Sequence, residues 1–336
     1  MRRPSVQAVS ILLAGAFVAA TAPPVAQAAE AAPLQLVTKI PLGEVKGRID
    51  HMAIDLAGQR LFVAELGNDS VGIVDLKTSQ VSGRVRGLKE PQGVGYVGSN
   101  DTLYVADAGD GTVHLFRGQD LKKAGRIRLG EDADNIRIDS AGNQVFVGYG
   151  KGALAIIDAS KKRKVADIAL DGHPESFRLE SGGSRIFVNV PDAHAIEVAD
   201  RQGNKVDTRW ATAQAGENYP MALDEASRQV IVVFRKPATL AAFSMQDGAP
   251  VARAAVCGDA DDVFVDATRH RVYVSCGEGY LDVFEPEDGG FRRIAHLATA
   301  PGARTSLFVS ELDLLFLAVR AGTTEKAAIW TYRPTP

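Results

Sequence analysis

His51 to Glu65 reads HMAIDLAGQRLFVAE: an apolar run ending on Asp55, a turn-rich LAGQ, and a second apolar run through Leu61, Phe62 and Val63. Two short runs of this kind around a Gly-bearing turn specify a β-hairpin. The pattern returns along the chain. The segments GVGYV, NIRID, SFRLE, PMALD, DVFVD and TSLFV end at Val97, Asp139, Glu180, Asp224, Asp266 and Val309, so with Asp55 the steps are 42, 42, 41, 44, 42 and 43 residues. Eight residues beyond each of these anchors a second run ends, at Val63, Val105, Val147, Val188, Val232, Val274 and Leu317. The middle of that second run is Phe62, Tyr104, Phe146, Phe187, Ile231, Tyr273 and Phe316, an almost wholly aromatic column.

A third run follows in each unit, VGIVDL in the first and AAIWTY in the last, and then a weaker fourth such as VSGRVRGL or KVADIAL. Four strands every 42 or so residues, with an aromatic column to bury between neighbouring sheets, are the mark of a propeller blade. The expected fold is all-β: a seven-bladed β-propeller of four antiparallel strands per blade. The last unit runs out after its third strand, and Leu34 to Leu42 (LQLVTKIPL) precedes the first anchor like a displaced fourth. Pairing that N-terminal strand into the last blade would close the ring and remove a free sheet edge. The propeller is expected to occupy 34–336, behind a short tail over 29–33.

Arg2 and Arg3 precede an apolar run from Val9 to Ala20, and Ala26-Gln27-Ala28 offers a small-x-small cleavage signal. Residues 1–28 therefore read as a secretory signal peptide cleaved after Ala28, which directs the protein to the periplasm or outside the cell. Cleavage moves the formal charge from −3 to −5, since Arg2 and Arg3 leave and no acid does. A mildly acidic protein has no field to gather nucleic acid, and no other apolar run reaches membrane length. The basic stretches SKKRK (Ser160 to Lys164) and LKKAGRIR (Leu121 to Arg128) read as solvated hairpin faces.

The unit with LYVAD (Leu103 to Asp107) and LFVAE (Leu61 to Glu65) resembles the YVTN-type β-propeller repeat, and its place behind an export signal is similar to the periplasmic YncE-like proteins. The resemblance covers 34–336 and implies the propeller fold. Repeats of this type are similar to those of surface-layer and periplasmic proteins, some lactonases and some electron-transfer subunits, so the resemblance implies no single activity.

Loops that lead into the innermost strands meet at one mouth of the central channel, together with the loops after the second strands. Aligned on the anchors, these loops diverge where apolar columns do not. Five residues before the anchors stand Asp50, Gln92, Asp134, Glu175, Tyr219, Asp261 and Arg304; seven before stand Arg48, Glu90, Asp132, His173, Glu217, Asp259 and Gly302. Divergence inside a repeat points to an asymmetric pocket. The candidate mouth residues are Arg48, Asp50, His51, Glu65, Asp107, Asp134, Tyr149, His173, Glu175, Tyr219, Arg235, Asp261 and Arg304. Imidazole with carboxylates suits a divalent transition metal, for which His51, His173, Asp259, Asp261 and Asp262 are the candidate ligands. The alternative is a solvated polar rim. No HExxH spacing, EF-hand alternation, C-x-x-C-H haem site, G-x-S-x-G or Gly-rich phosphate loop occurs. Neither haem nor nucleotide is expected, and no catalytic residue can be named.

Cys257 and Cys276 stand nine before and ten after the Asp266 anchor. An antiparallel hairpin returns such positions to one end, and an oxidising compartment favours a disulfide. Closing that loop would contribute on the order of 3 kcal/mol. The leading expectation is a monomeric scaffold whose mouth meets a small-molecule ligand or a periplasmic protein. A metal-assisted lactonase or lyase and a docking subunit for a periplasmic redox enzyme are the alternatives.

Overall fold

The structure, a computed structural model, describes residues 1, 4–5, 32–212, 215–323 and 325–336. The expected signal peptide lies, but for Met1, Pro4 and Ser5, outside them. Ala32–Pro336 forms one compact unit.

Among the described residues the strands form five four-stranded sheets and one eight-stranded sheet. Each four-strand unit is an antiparallel meander, for example Met52–Asp55, Arg60–Glu65, Ser70–Asp75 and Gln80–Arg86 in the first. The eight-stranded sheet differs from the expected separate blades. It is two such meanders joined edge to edge where Arg253 on the fourth strand of the fifth unit makes a parallel pair with Gly290 on the fourth strand of the sixth. The last sheet takes strands from both chain ends, with Leu34–Pro41 antiparallel to Ala328–Pro334 from Leu34 opposite Pro334 to Pro41 opposite Ala328.

Six of the seven sequence anchors are the last residues of their inner strands, and Glu180 falls one residue past Ser176–Leu179. The aromatic column is the core: Phe62, Tyr104, Phe146, Phe187, Tyr273 and Phe316 are at most 1% exposed, as is Ile231 in the same column. Such rings bury large apolar areas between neighbouring sheets. The inner strands of the second and third units approach closely. A Cβ on Gly93 would sit 2.0 Å from the Asp134 carbonyl oxygen, so only glycine fits there.

Candidate functional site at the channel mouth

The mouth loops are set by backbone irregularity. Register shifts interrupt the pairing of first and second strands between Ala133 and Ile136, Pro91 and Gly93, Asn218 and Met221, and Ala260 and Asp262. A bulge releases one or two residues from the ladder and re-aims their side chains. The residues so released include Asp134, Asn135, Gln92, Tyr219, Pro220 and Asp261. The first unit reaches the same place differently: Asp50 N–H donates to Ala64 O at 2.7 Å and Ala64 N–H to His51 O at 3.0 Å, which ties the Arg48–His51 loop to its neighbouring strand.

Four residues before the anchors, a second column stitches one unit to the next. Asn135 Nδ2 donates to Glu175 O at 2.5 Å, Ser176 Oγ donates to Tyr219 O, and Thr305 Oγ1 donates to Ile49 O at 3.3 Å. In the sixth unit the bond runs the other way, with Ser306 N–H donating to Asp262 Oδ2 at 2.8 Å.

Over this frame lies a charge network. Arg48 Nη2 is 2.6 Å from Asp50 Oδ2. His51 Nε2 lies 3.7 Å from Asp50 Oδ1 and 3.8 Å from Asp134 Oδ1. His173 Nδ1 donates to Gly150 O at 2.6 Å, and its Nε2 lies 4.0 Å from Asp134 Oδ2. Asp261 is held from both sides, by Arg235 of the fifth unit and by Arg304 Nε of the seventh at 3.1 Å. The same two guanidinium groups reach Asp259, at 3.3 and 2.7 Å. The Arg235 guanidinium also stacks over Tyr219, 4.2 Å from its ring centre, a cation–π contact.

Burial and neighbours move these groups apart in acidity. Burial raises Asp50 well above the carboxylate range and brings Glu175 to about 7, with the Asp134 charge adding to it. Burial lowers His51 to about 4. It also opposes a charged His173, but the Asp134 and Gly150 contacts and the Asp132 charge outweigh it and lift that imidazole to about 9. At neutral pH His173 is a cation and His51 is not. The free volume among these side chains is only about 20 Å3, room for about one water. The mouth is a plugged, charged surface.

Arg48, Asp50, His51, Asp134, His173, Glu175, Tyr219, Arg235, Asp261 and Arg304 are therefore brought together; Glu65, Asp107 and Tyr149 are not. Glu65 is fully buried inside its own unit, accepting from Ser70 Oγ at 2.5 Å and from Arg84 Nε and Nη2 at 2.7 and 2.9 Å. Asp107 accepts from Lys89 N–H at 2.8 Å and faces His114 Nε2 at 3.3 Å, while the Tyr149 hydroxyl donates to Asp167 at 2.9 Å. Ten residues past the anchor the side chain points between the second and later strands of its own unit, because successive strand residues alternate sides.

The expected metal set is not assembled either. Among the described residues the only three-ligand cluster, with atoms within 4.8 Å of one another, is Asp107, Asp110 and His114, none of which is in that set. Its charge is met by Lys89, whose Nζ lies 3.1 Å from Asp110 Oδ2. Asp259 and Asp261 are neutralised by guanidinium groups, and Asp262 is engaged by Ser306. The column seven before the anchors shares a backbone conformation: Glu90, Asp132, Glu217 and Asp259 adopt φ of 44–58° and Gly302 φ of 78°, the left-handed region, which gives the two aspartates and the glycine a backbone reason.

The cysteines lie beneath Asp259. Their sulfurs are bonded with Cα atoms 5.9 Å apart, and Cys257 N–H donates to Asp282 Oδ2 at 2.9 Å. Sequence reading missed Arg137 and Arg178, which line the channel just below the mouth. Two residues before each anchor stand Ala53, Gly95, Arg137, Arg178, Ala222, Phe264 and Leu307, and two adjacent arginines in an otherwise carbon-only column were the available signal.

No family model matches the chain, and no curated protein matches it. Solved structures do. A chain of Kuenenia stuttgartiensis hydrazine synthase is similar with a TM-score of 0.74 at 15% identity, covering 87% of this chain and 97% of that one. A chain of the mitotic checkpoint complex is similar with a TM-score of 0.78 at 11% identity, covering 97% of this chain and 99% of that one. At such identities the likeness speaks to architecture alone, and with the four-stranded meanders it makes this chain a β-propeller.

Proposed function

We propose that this is an exported, seven-bladed propeller of the YVTN type whose plugged mouth serves as a docking face for a partner protein. The carrying observation is the inter-unit charge network, above all Asp261 gripped by Arg235 and Arg304 from the units on either side. Charged pairs fixed by their neighbours present a preset pattern to a partner at little ordering cost. The small free volume favours a protein surface over a small molecule at this end. Closure of seven blades is supported by contacts between consecutive inner strands from Met52–Asp55 round to Ser306–Val309 and back, and by the Thr305 to Ile49 hydrogen bond.

The test is crosslinking in periplasmic extract of the source cell, comparing the native protein with Arg235→Glu/Arg304→Glu. A discrete crosslinked species that disappears in the double variant is expected; crosslinking unchanged by the charge reversal overturns the reading. Sequencing the purified protein's N-terminus tests export, with Ala29 as the expected first residue.

A further inference from the structure

Beneath the mouth the channel widens into a cavity of about 540 Å3, within the range of small-ligand sites. Its walls are mixed, with Val94, Leu223, Val265 and Leu307 contributing an apolar part. Its upper end carries two guanidinium groups on adjacent inner strands. Arg137 Nε donates to Phe177 O at 3.1 Å and Nη1 to Ile136 O at 2.7 Å; Arg178 Nη1 reaches the same Phe177 oxygen at 3.4 Å. One shared carbonyl thus brings the two cations together. No carboxylate among the described residues lies within 4.0 Å of either.

This is the reverse of the mouth, where each guanidinium has an acid. Two like charges withdrawn from bulk water repel each other, and burial with that repulsion pulls Arg137 well below its ordinary range. The charges of Asp262 and Asp134 offset this only in part, and neither acid forms an ion pair with these arginines. Asp262 binds the Ser306 N–H, and at the far opening Glu225 accepts from Ser181 N–H at 2.7 Å and Asp224 from Ser227 N–H at 3.1 Å. The remaining N–H groups of both arginines form two forks of the shape that pairs with a planar carboxylate.

We propose that the cavity binds a small organic carboxylate with an apolar body, its carboxylate held between Arg137 and Arg178 and its body against the apolar part of the wall. The ligand enters from the end opposite the mouth, past the Glu225 and Ala267 turns that line the cavity. This site adjoins the mouth, sharing His51, Arg137 and Arg178 with it, but the proposal rests on the cavity and its arginine pair and not on the docking face.

Titration calorimetry of the mature protein with hexanoate, benzoate, hexanol and inorganic phosphate tests it. Hexanoate or benzoate is expected to bind at least tenfold more tightly than hexanol and than phosphate. Arg137→Met and Arg178→Met are each expected to weaken that binding at least tenfold, while the melting temperature of the ligand-free protein holds or rises because the repulsion is gone. Arg178→Lys keeps the charge without the fork and is expected to lose binding as well. Arg304→Glu leaves carboxylate binding unchanged while disturbing the docking face. No carboxylate binding, binding no tighter than hexanol, phosphate binding tighter than both carboxylates, or unchanged affinity in the arginine variants would each overturn the proposal.

Discussion

Glu65 and Asp261 are both carboxylates withdrawn from solvent and met by guanidinium groups, yet they belong to different kinds of place. Glu65 is satisfied by Arg84 of its own four-strand unit. Asp261 is satisfied by one arginine from the unit before it and one from the unit after. The first arrangement glues strands within a unit and would do so in any copy of the repeat. The second exists only where three units meet in this order, so it carries information that the repeat does not. A polar residue that breaks a repeat is evidence of a site only when its partners come from other units.

The comparison can be broken at its rigid end first. Glu65→Ala leaves Arg84 buried without its carboxylate and is expected to destabilise the protein by about 3–5 kcal/mol in urea unfolding, with no effect on mouth crosslinking. Removing the disulfide with Cys257→Ser/Cys276→Ser frees the loop beneath Asp259 and should cost on the order of 3 kcal/mol by the chain-entropy estimate, measured the same way.

At the mouth, the raised His173 supplies a signature in pH. Its folded pKa of about 9 exceeds the ordinary 6.5, so its stabilisation is fully present below 6.5 and is lost as pH rises through 9. His173→Gln should flatten the decline of stability across that window, a difference of about 3 kcal/mol at most. The smallest thermodynamic effect should come from Arg304→Ala: about 1 kcal/mol of stability, because Arg235 still holds Asp261, with a large loss of partner crosslinking. A loss from Arg304→Ala as large as that from Glu65→Ala would erase the distinction between the two kinds of acid.

Much of the fold was legible because a blade must bury its sheet on the next, which forces one aromatic per unit at a fixed offset. The site was legible in part. Asp134 and Asp261 stand where a bulge turns them to the mouth, Glu175 stands just before its strand, and their divergence marked all three. Glu65, Asp107 and Tyr149 sat in an equally divergent column, but strand alternation aims them into their own units. Asp259 and Asp132 are acidic partly because a left-handed backbone tolerates aspartate, which no residue count reveals. Arg137 and Arg178 were hidden inside runs that read simply as strands.

The pairing of Leu34–Pro41 with Ala328–Pro334 has a consequence in time as well as in space. Contacts that span nearly the whole chain form late, because the intervening residues must be ordered first. The strand at 34–41 cannot take its place until residues some 290 positions later have been made, so through synthesis it stays an unpaired edge. Each four-strand meander can form from local contacts as it emerges, whereas the last sheet forms only when the chain is nearly complete. Completion of the last sheet therefore waits on Ala328–Pro334.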